Sequence, residues 1–88
     1  DIAQNLQVVE LTVTPESPTR GYTISELQLP ANATVLAFGK EGDPLDIPNP
    51  DESLAEGDRL VVLADSERLE DVRSIVVGDA GHRARGDV

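Results

Sequence analysis

The 88-residue chain contains no cysteine, methionine or tryptophan, and only one phenylalanine and one tyrosine. Without cysteine it has neither disulfide bonds nor thiolate ligands for a metal. Without large aromatic side chains, its core must be built from valine, leucine, isoleucine and alanine. We therefore expect a single small domain of marginal stability, which association with a second chain would increase.

Residues that carry out catalysis are also scarce. The single histidine, His82, lies in a polar, glycine-rich segment, and the chain has neither a nucleophile elbow nor a P-loop. Asp43 and Asp46 have a spacing that an acid and a base could use, but seventeen acids in 88 residues produce such pairs by chance. We expect no enzymatic activity.

Oxygen ligands for a hard cation are available on neighbouring predicted loops, at Asp43, Asp46, Asp51 and Glu52. Their spacing is not that of an EF-hand loop. We expect neither a metal site nor a bound cofactor in this domain.

Negative charge dominates the composition, with seventeen acids against seven bases and a net charge of −10. Such a surface repels phosphate backbones and anionic headgroups, so nucleic acid is not an expected partner. No apolar run approaches the roughly 20 residues that span a bilayer, so membrane insertion is not expected either. The acids are spread evenly and Lys40 is the only lysine, which favours a solvated surface of the kind found in a high-salt cytoplasm. A docking face for a basic partner is the alternative.

Hydrophobic patterning predicts four strands, at residues 8–14, 33–39, 44–47 and 60–64. In the first strand, Val9, Leu11 and Val13 share one face. Pro44 and Pro48 place the third strand at a sheet edge, since proline cannot donate a ladder hydrogen bond. The fourth strand is apolar without interruption, as expected of a central strand that is covered on both faces.

Two helices complete the predicted α+β fold, a small β-α-β-β-β-α domain with one mostly antiparallel sheet. Thr23 and Glu26 have the spacing of a capping box at the start of a very short helix. The second helix begins at a cap on Asp65 or Ser66, presents an inward stripe, and ends at Gly78. The stripe is formed by Leu69, Val72 and Val76. We expect residues 1–7 to be a linker, 8–77 the domain and 78–88 a disordered tail.

The turn before the central strand has a structural role. Gly57 suits a position with positive φ, and Asp58 can hydrogen-bond its own turn as the chain enters the strand. Together with Gly21, which precedes the first helix, these residues are predicted to shape turns.

An ordered series of features carries a family resemblance: a strand ending near Pro15, the segment 21–30, the strand 34–38, a turn at Gly42, and the series from Leu54 through Gly57-Asp58 into the central strand. This order resembles the C-terminal domain of regulators of potassium conductance, called RCK-C or TrkA-C, over roughly residues 8–77. The resemblance implies a cytoplasmic homodimeric module attached to a potassium channel, potassium uptake system or other ion transporter. It also implies a ligand pocket across the two chains and an upstream nucleotide-binding domain. No G-x-G-x-x-G is present in this chain.

The resemblance also places the ligand and dimer seam, at Ile24, Ser25, Gln28, Pro30, Thr34, Val35 and Leu36. One subset of the family binds cyclic di-AMP there, using an acid, an arginine and an asparagine between apolar walls. Gln28, Pro30 and Thr34 stand at those three positions in this chain. Without the arginine there is no bidentate phosphate clamp, so we expect the regulatory ligand, still unknown, not to be cyclic di-AMP. The apolar edge at Ile24, Val35 and Leu36 is either this seam or ordinary core.

The leading hypothesis is therefore a ligand-sensing regulatory domain that biases the gating of a potassium channel or cation transport system as a homodimer. The alternative is a ligand-free structural dimerisation module of another ion transporter.

Overall fold

The computed structural model describes residues 5–78 and contains one antiparallel sheet and one α-helix. The strands are β1 (Leu6–Thr12), β2 (Ala33–Gly39) and β3 (Arg59–Asp65), and the helix is α1 (Leu69–Val76). Single turns of 3₁₀ helix lie at Ile24–Glu26 and Ser66–Arg68. The sheet order is β1-β3-β2, and both pairs of neighbours are antiparallel. The predicted α+β class is confirmed.

The core lies between one face of the sheet and α1. Along β3 every second side chain is fully buried, namely Leu60, Val62 and Ala64. Val72 and Val76 of α1, four residues apart and so on the same helix face, are equally buried and belong to the same cluster. An alternating strand facing a helix with a 3.6-residue period produces this two-layer arrangement.

Only one face of β3 is covered by the described chain, which departs from the predicted burial on both faces. Val61 and Leu63 point to the opposite face and are only half-buried. The prediction followed from an apolar run of five residues, and the sheet has just one helix to place against it. The second face is therefore left partly exposed.

The first predicted helix and the return strand are both reduced in the structure. The helix is a single 3₁₀ turn, capped by the predicted box, in which the Thr23 N–H donates to Glu26 Oε1 at 2.8 Å. The return strand is one bridge, where Phe38 and Asp46 exchange backbone hydrogen bonds of 2.9 and 2.8 Å. Pro44 and Pro48 flank this bridge and supply no N–H groups that could extend it.

The first strand begins and ends two residues earlier than predicted, because its extent follows its pairing with β3 from Leu6↔Asp65 to Thr12↔Arg59. Val13, which was predicted inside the strand, still points into the core and is 1% exposed. Its N–H donates to the carbonyl of Asp58 at 2.8 Å.

The helix ends where the sequence places its stop. Gly78 has φ +96°, and its N–H donates to the carbonyl of Arg73 at 3.2 Å. A Cβ atom at this position would lie 2.7 Å from the carbonyl oxygen of Glu16, so the helix end packs closely on that loop. The predicted tail and His82 lie outside the described residues, apart from Gly78 itself.

Within residues 5–78, no helix has the length and apolar character needed to cross a membrane.

The two-layer core predicts that Leu60→Ala lowers the free energy of unfolding by about 2–5 kcal/mol, since Leu60 is 0% exposed and truncation leaves a cavity. Urea unfolding followed by circular dichroism measures this change. Leu45→Ala is the matched control because Leu45 is 39% exposed and lies off the sheet. Equal losses in the two variants would contradict this assignment of the core.

Candidate ligand groove and the loop that forms it

An apolar groove of about 380 Å³ lies between the start of β2, the 3₁₀ turn after Thr23, and the loop that follows the Phe38–Asp46 bridge. We call it the first groove. It is lined by Ile24, Leu27, Leu29, Ala33, Thr34, Val35, Pro48 and Pro50. Its volume falls within the range of small-molecule sites, and none of its lining residues is ionisable.

Backbone hydrogen bonds hold two walls of the first groove together. The N–H of Ile24 donates to the carbonyl of Glu52, and the N–H of Ser25 donates to the carbonyl of Pro50, both at 3.0 Å. Thr23 and Ser53 form an isolated antiparallel bridge beside them. The proline loop is therefore fixed to the 3₁₀ turn by backbone hydrogen bonds.

A buried carboxylate supports this loop from the other side. Asp58 is 2% exposed, and its Oδ2 accepts the N–H of Ala55 at 2.9 Å. Its Oδ1 accepts the N–H of Glu41 at 3.1 Å. Lys40 Nζ lies 3.3 Å from Oδ2 and supplies the opposite charge. The carboxylate is thus satisfied by backbone donors and by one cation, as burial of a charge requires.

Lys40 connects that carboxylate to the groove wall. Its Nζ donates to the carbonyl of Ser53 at 2.9 Å and lies 3.3 Å from Glu52 Oε2. The carbonyl of Glu52 accepts the N–H of Ile24 in the 3₁₀ turn, and Ser53 is the bridge partner of Thr23. We call Asp58, Lys40 and these partners the Asp58 hub.

The predicted turn glycines occupy the same region. Gly57 has φ +93°, and its N–H donates to the carbonyl of Val13 at 2.8 Å. A Cβ atom there would lie 2.6 Å from the flexible carboxyl group of Glu41, which can move aside, so it is the positive φ that favours glycine at this position. Gly21 donates its N–H to the carbonyl of Leu54 at 2.8 Å, which joins the chain before the 3₁₀ turn to the same loop.

The structure brings together only part of the seam that the sequence predicts. Ile24, Thr34 and Val35 line the first groove. Ser25 borders it through its bond to Pro50, while its hydroxyl lies 3.1 Å from that of Thr23. Leu36 is 45% exposed and does not line the groove.

Gln28 and Pro30 lie elsewhere, in a second groove between the segment 18–30 and α1. Gln28 lines both parts of this groove, whose volumes are about 410 and 370 Å³, and Pro30 lines the smaller part. Ile75 of α1 is common to both parts, and the acids Glu26 and Asp71 lie at its rim. Two positions that the resemblance groups with the seam therefore face the helix instead.

Sequence reasoning missed five lining residues of the first groove: Leu27, Leu29, Ala33, Pro48 and Pro50. The leucines lie within the predicted seam segment and belong to its apolar pattern, so that pattern could have indicated them. The prolines lie on a loop that reaches the groove through backbone hydrogen bonds to the 3₁₀ turn, which is distant in sequence. No local sequence pattern predicts those contacts.

Among the described residues, no group of three histidine or acidic side chains is arranged to hold a metal ion, including the loop acids considered above.

Comparison with known proteins finds a matching family model and matching curated relatives. The family model of the TrkA-C domain matches residues 8–77. The Trk system potassium uptake protein trkA homolog 1 of Methanosarcina mazei is 30% identical over 80 residues, which are 91% of this chain and 20% of that protein. The chain thus spans about a fifth of the length of the curated relatives it matches.

Solved structures share the fold. The RCK_C domain dimer of S. agalactiae BusR in complex with c-di-AMP superposes with a TM-score of 0.65 at 24% identity, over 78% of this chain and 93% of that chain. The GsuK channel bound to NAD superposes with a TM-score of 0.63 at 25% identity, over 81% of this chain and 13% of that chain.

The Asp58 hub predicts a loss of stability at high pH. Burial lowers the pKa of Lys40, but hydrogen bonds to Asp58 and Glu52 and their negative charges outweigh this, so the pKa lies above its ordinary value of 10.5. A pKa that is higher in the folded state stabilises the fold fully below the ordinary value, and this contribution disappears as the pH rises through the folded-state pKa.

We therefore expect the urea midpoint of the parent chain to fall above about pH 10 through deprotonation of its only lysine. Lys40→Arg is the control, because arginine stays charged over this range and should flatten the profile. The same alkaline decline in both proteins would contradict the proposed contribution of Lys40.

Proposed function

The chain belongs to the TrkA-C domain family, and from this we propose that it is the ligand-sensing regulatory domain of a potassium channel or potassium transport system. In this proposal it acts on the cytoplasmic side as a homodimer that biases the attached transporter. The uptake protein of Methanosarcina mazei and the GsuK channel support the link to potassium transport, each through one domain of a longer chain.

The first groove is the observation that carries the sensing role. It is lined by uncharged side chains that are apolar except for Thr34, it has the volume of a small-molecule site, and two of its walls are joined by backbone hydrogen bonds within the chain. A preformed pocket lowers the ordering cost of binding. It also opens beside the outer edge of β2, where no strand of residues 5–78 pairs with positions Ala33 to Ala37.

A second copy that approached this edge would cover the apolar walls of Ile24 and Val35, which gives the small core additional buried surface. A ligand lying between the copies would then contact both. If the ligand bound one dimer geometry more tightly than another, it would shift the conformational equilibrium of the attached transporter. The size of this shift is set by the difference between its two binding free energies.

The lining of the first groove favours a ligand that presents an apolar or uncharged surface to it. No cationic side chain lines it among residues 5–78, and Gln28 and Pro30 face the second groove instead. Phosphate groups bind best to arginine forks or to backbone N–H clusters. We therefore propose that cyclic di-AMP is not the regulatory ligand in the family's known mode.

A ligand-free dimerisation module is the second candidate function. The lining of the first groove favours it, because all of its side chains except Thr34 are apolar and none is charged, and such a surface can be covered by the partner chain alone. In that case the domain would join two copies of a transporter without sensing anything.

The dimer is tested by sedimentation velocity of the parent chain and of Pro50→Glu, which places a charge in the groove wall. We expect the variant to dissociate at concentrations where the parent associates, since a buried unpaired carboxylate is costly. Ile47→Glu is the matched control, because Ile47 is 85% exposed and does not line the first groove. A monomeric parent at millimolar protein and molar salt would contradict the dimer.

Thermal unfolding with added nucleotides separates the two candidate functions. A ligand at 100 times its Kd stabilises by about 2.7 kcal/mol, which shifts the Tm of a small domain by several degrees or more. We expect no shift with cyclic di-AMP at 100 µM, and a shift of that size would contradict our proposal for this ligand. In a panel of other nucleotides, a shift that Pro50→Glu abolishes and Ile47→Glu retains supports a sensor. No shift with any member supports the structural module.

A further inference from the structure

The second groove, between the segment 18–30 and α1, has one acid in each of its two parts. The larger part, of about 410 Å³, is lined by Glu26, and the smaller part, of about 370 Å³, is lined by Asp71. Gln28 and Ile75 line both parts, so the two parts form one elongated groove. The remaining lining residues are uncharged: Pro18, Thr19, Tyr22, Leu27, Pro30 and Ser74. Two anionic groups are thus separated by an uncharged stretch that includes the side chain of Ile75.

Local structure determines where the two carboxylates lie. Glu26 belongs to the capping box, and its Oε1 accepts the N–H of Thr23 at 2.8 Å, which orients the side chain. Asp71 lies in the first turn of α1, four residues before Ile75, so these two side chains share one face of the helix. The acids of the groove are therefore presented by a capped 3₁₀ turn and by a helix.

Charge identifies the kind of ligand. Within residues 5–78 the ion pairs join Lys40 to Glu52 and Asp58, and Arg59 to Glu10, and neither acid of the second groove takes part in one. Both acids are exposed, so a cation can approach them without burial of an unpaired charge. The net charge of −10 further attracts cations to the chain and repels anions.

The lining of the groove identifies what the cation carries. Tyr22 is 54% exposed and lines the same part as Glu26, and an aromatic ring attracts an ammonium group as a carboxylate does. Ile75, Leu27 and Pro18 offer aliphatic surface that favours methylene groups. A hydrated metal ion would gain nothing from such surface. The chemistry that fits is an ammonium group on an aliphatic chain.

We propose that the second groove binds a linear aliphatic diamine or oligoamine. One ammonium group lies at Glu26 and Tyr22, another lies at Asp71, and the methylene chain between them packs along Ile75. Each part of the groove has the volume of a small-molecule site. An exposed ion pair strengthens binding by up to about fivefold, so a ligand that makes two of them is preferred over one that makes a single pair.

This site is distinct from the ligand site of the proposed function. Leu27 is the one residue among 5–78 that lines both grooves. The proposed oligoamine requires neither a homodimer nor a ligand in the first groove.

Nuclear magnetic resonance titration of the isotope-labelled 88-residue chain at low salt tests the site. The ligands are α,ω-diamines with about three to eight methylene groups, each compared with the monoamine and the alcohol of the same length. We expect amide shifts in the segments 22–28 and 71–75. At the best length the diamine should bind about fivefold more tightly than its monoamine, and the alcohol should bind most weakly. Added salt should weaken the binding of the diamine, since exposed charges are screened.

Glu26→Gln and Asp71→Asn should each reduce the affinity for the diamine up to about fivefold, towards that of the monoamine. Glutamine keeps an acceptor for the capping box, so the first variant removes charge and not the cap. Glu70→Gln is the matched control, because Glu70 lies in the same helix turn and does not line the groove. It should bind the diamine as the parent does.

The contradicting outcomes are specific. Equal affinity for diamine and monoamine at every length, equal losses in Glu70→Gln and the two groove variants, or amide shifts outside the groove would each overturn the site. A peptide with two lysines that binds where no free diamine does would assign the groove to a protein partner and overturn the small-amine ligand. Pro50→Glu alters the first groove alone and should bind the diamine as the parent does. Failure of the proposed function and failure of this site are therefore distinguishable.

Discussion

The carboxylate of Asp58 holds the irregular half of this domain together. It is buried where the chain enters β3, and burial of a charge is tolerated only because Lys40 and two backbone N–H groups satisfy it. The same turn bonds the end of the first strand twice, through the carbonyl of Asp58 and the N–H of Gly57 to Val13. The side chain of Asp58 thus joins the turn after β2 to the turn before β3, and the backbone of the same turn joins both to Val13, the residue that follows β1.

The first groove and the partly exposed second face of the sheet follow from this arrangement and from the single helix of residues 5–78. With only α1 to cover the sheet, the core occupies one face, and β3 divides its apolar side chains between a filled side and an open side. The loops that do not pack on the helix lie near the edge of β2. Lys40 holds them there through its contacts with Glu52 and the carbonyl of Ser53, next to the groove wall. The first groove and the exposed second face of the sheet therefore have the same cause. The described chain has too few helices to cover both faces of its sheet.

Local signals in the sequence predicted local structure well. The alternation at Val9 and Leu11 identified a core-facing strand, and the Thr23–Glu26 spacing identified a cap that the structure contains. What the sequence did not indicate depends on contacts between distant residues. Gln28 faces α1 because the segment after the 3₁₀ turn follows the helix, and Pro50 joins the groove through a hydrogen bond to Ser25.

The bulge in β2 has a consequence for how this strand can evolve. Pairing with β3 shifts between Val35 and Ala37, so the alternation of side chains changes phase at Leu36. Val35 consequently belongs to the core side, Ala37 belongs to the face opposite α1, and Phe38 returns to the core. Val35 and Ala37 already lie opposite the adjacent residues Val62 and Val61, so removal of residue 36 would restore regular alternation and leave both halves of the strand on their present faces. A single-residue deletion in β3, which pairs regularly with β1, would instead move part of its apolar set to the other face, so single-residue deletions should be tolerated at Leu36 and not in β3.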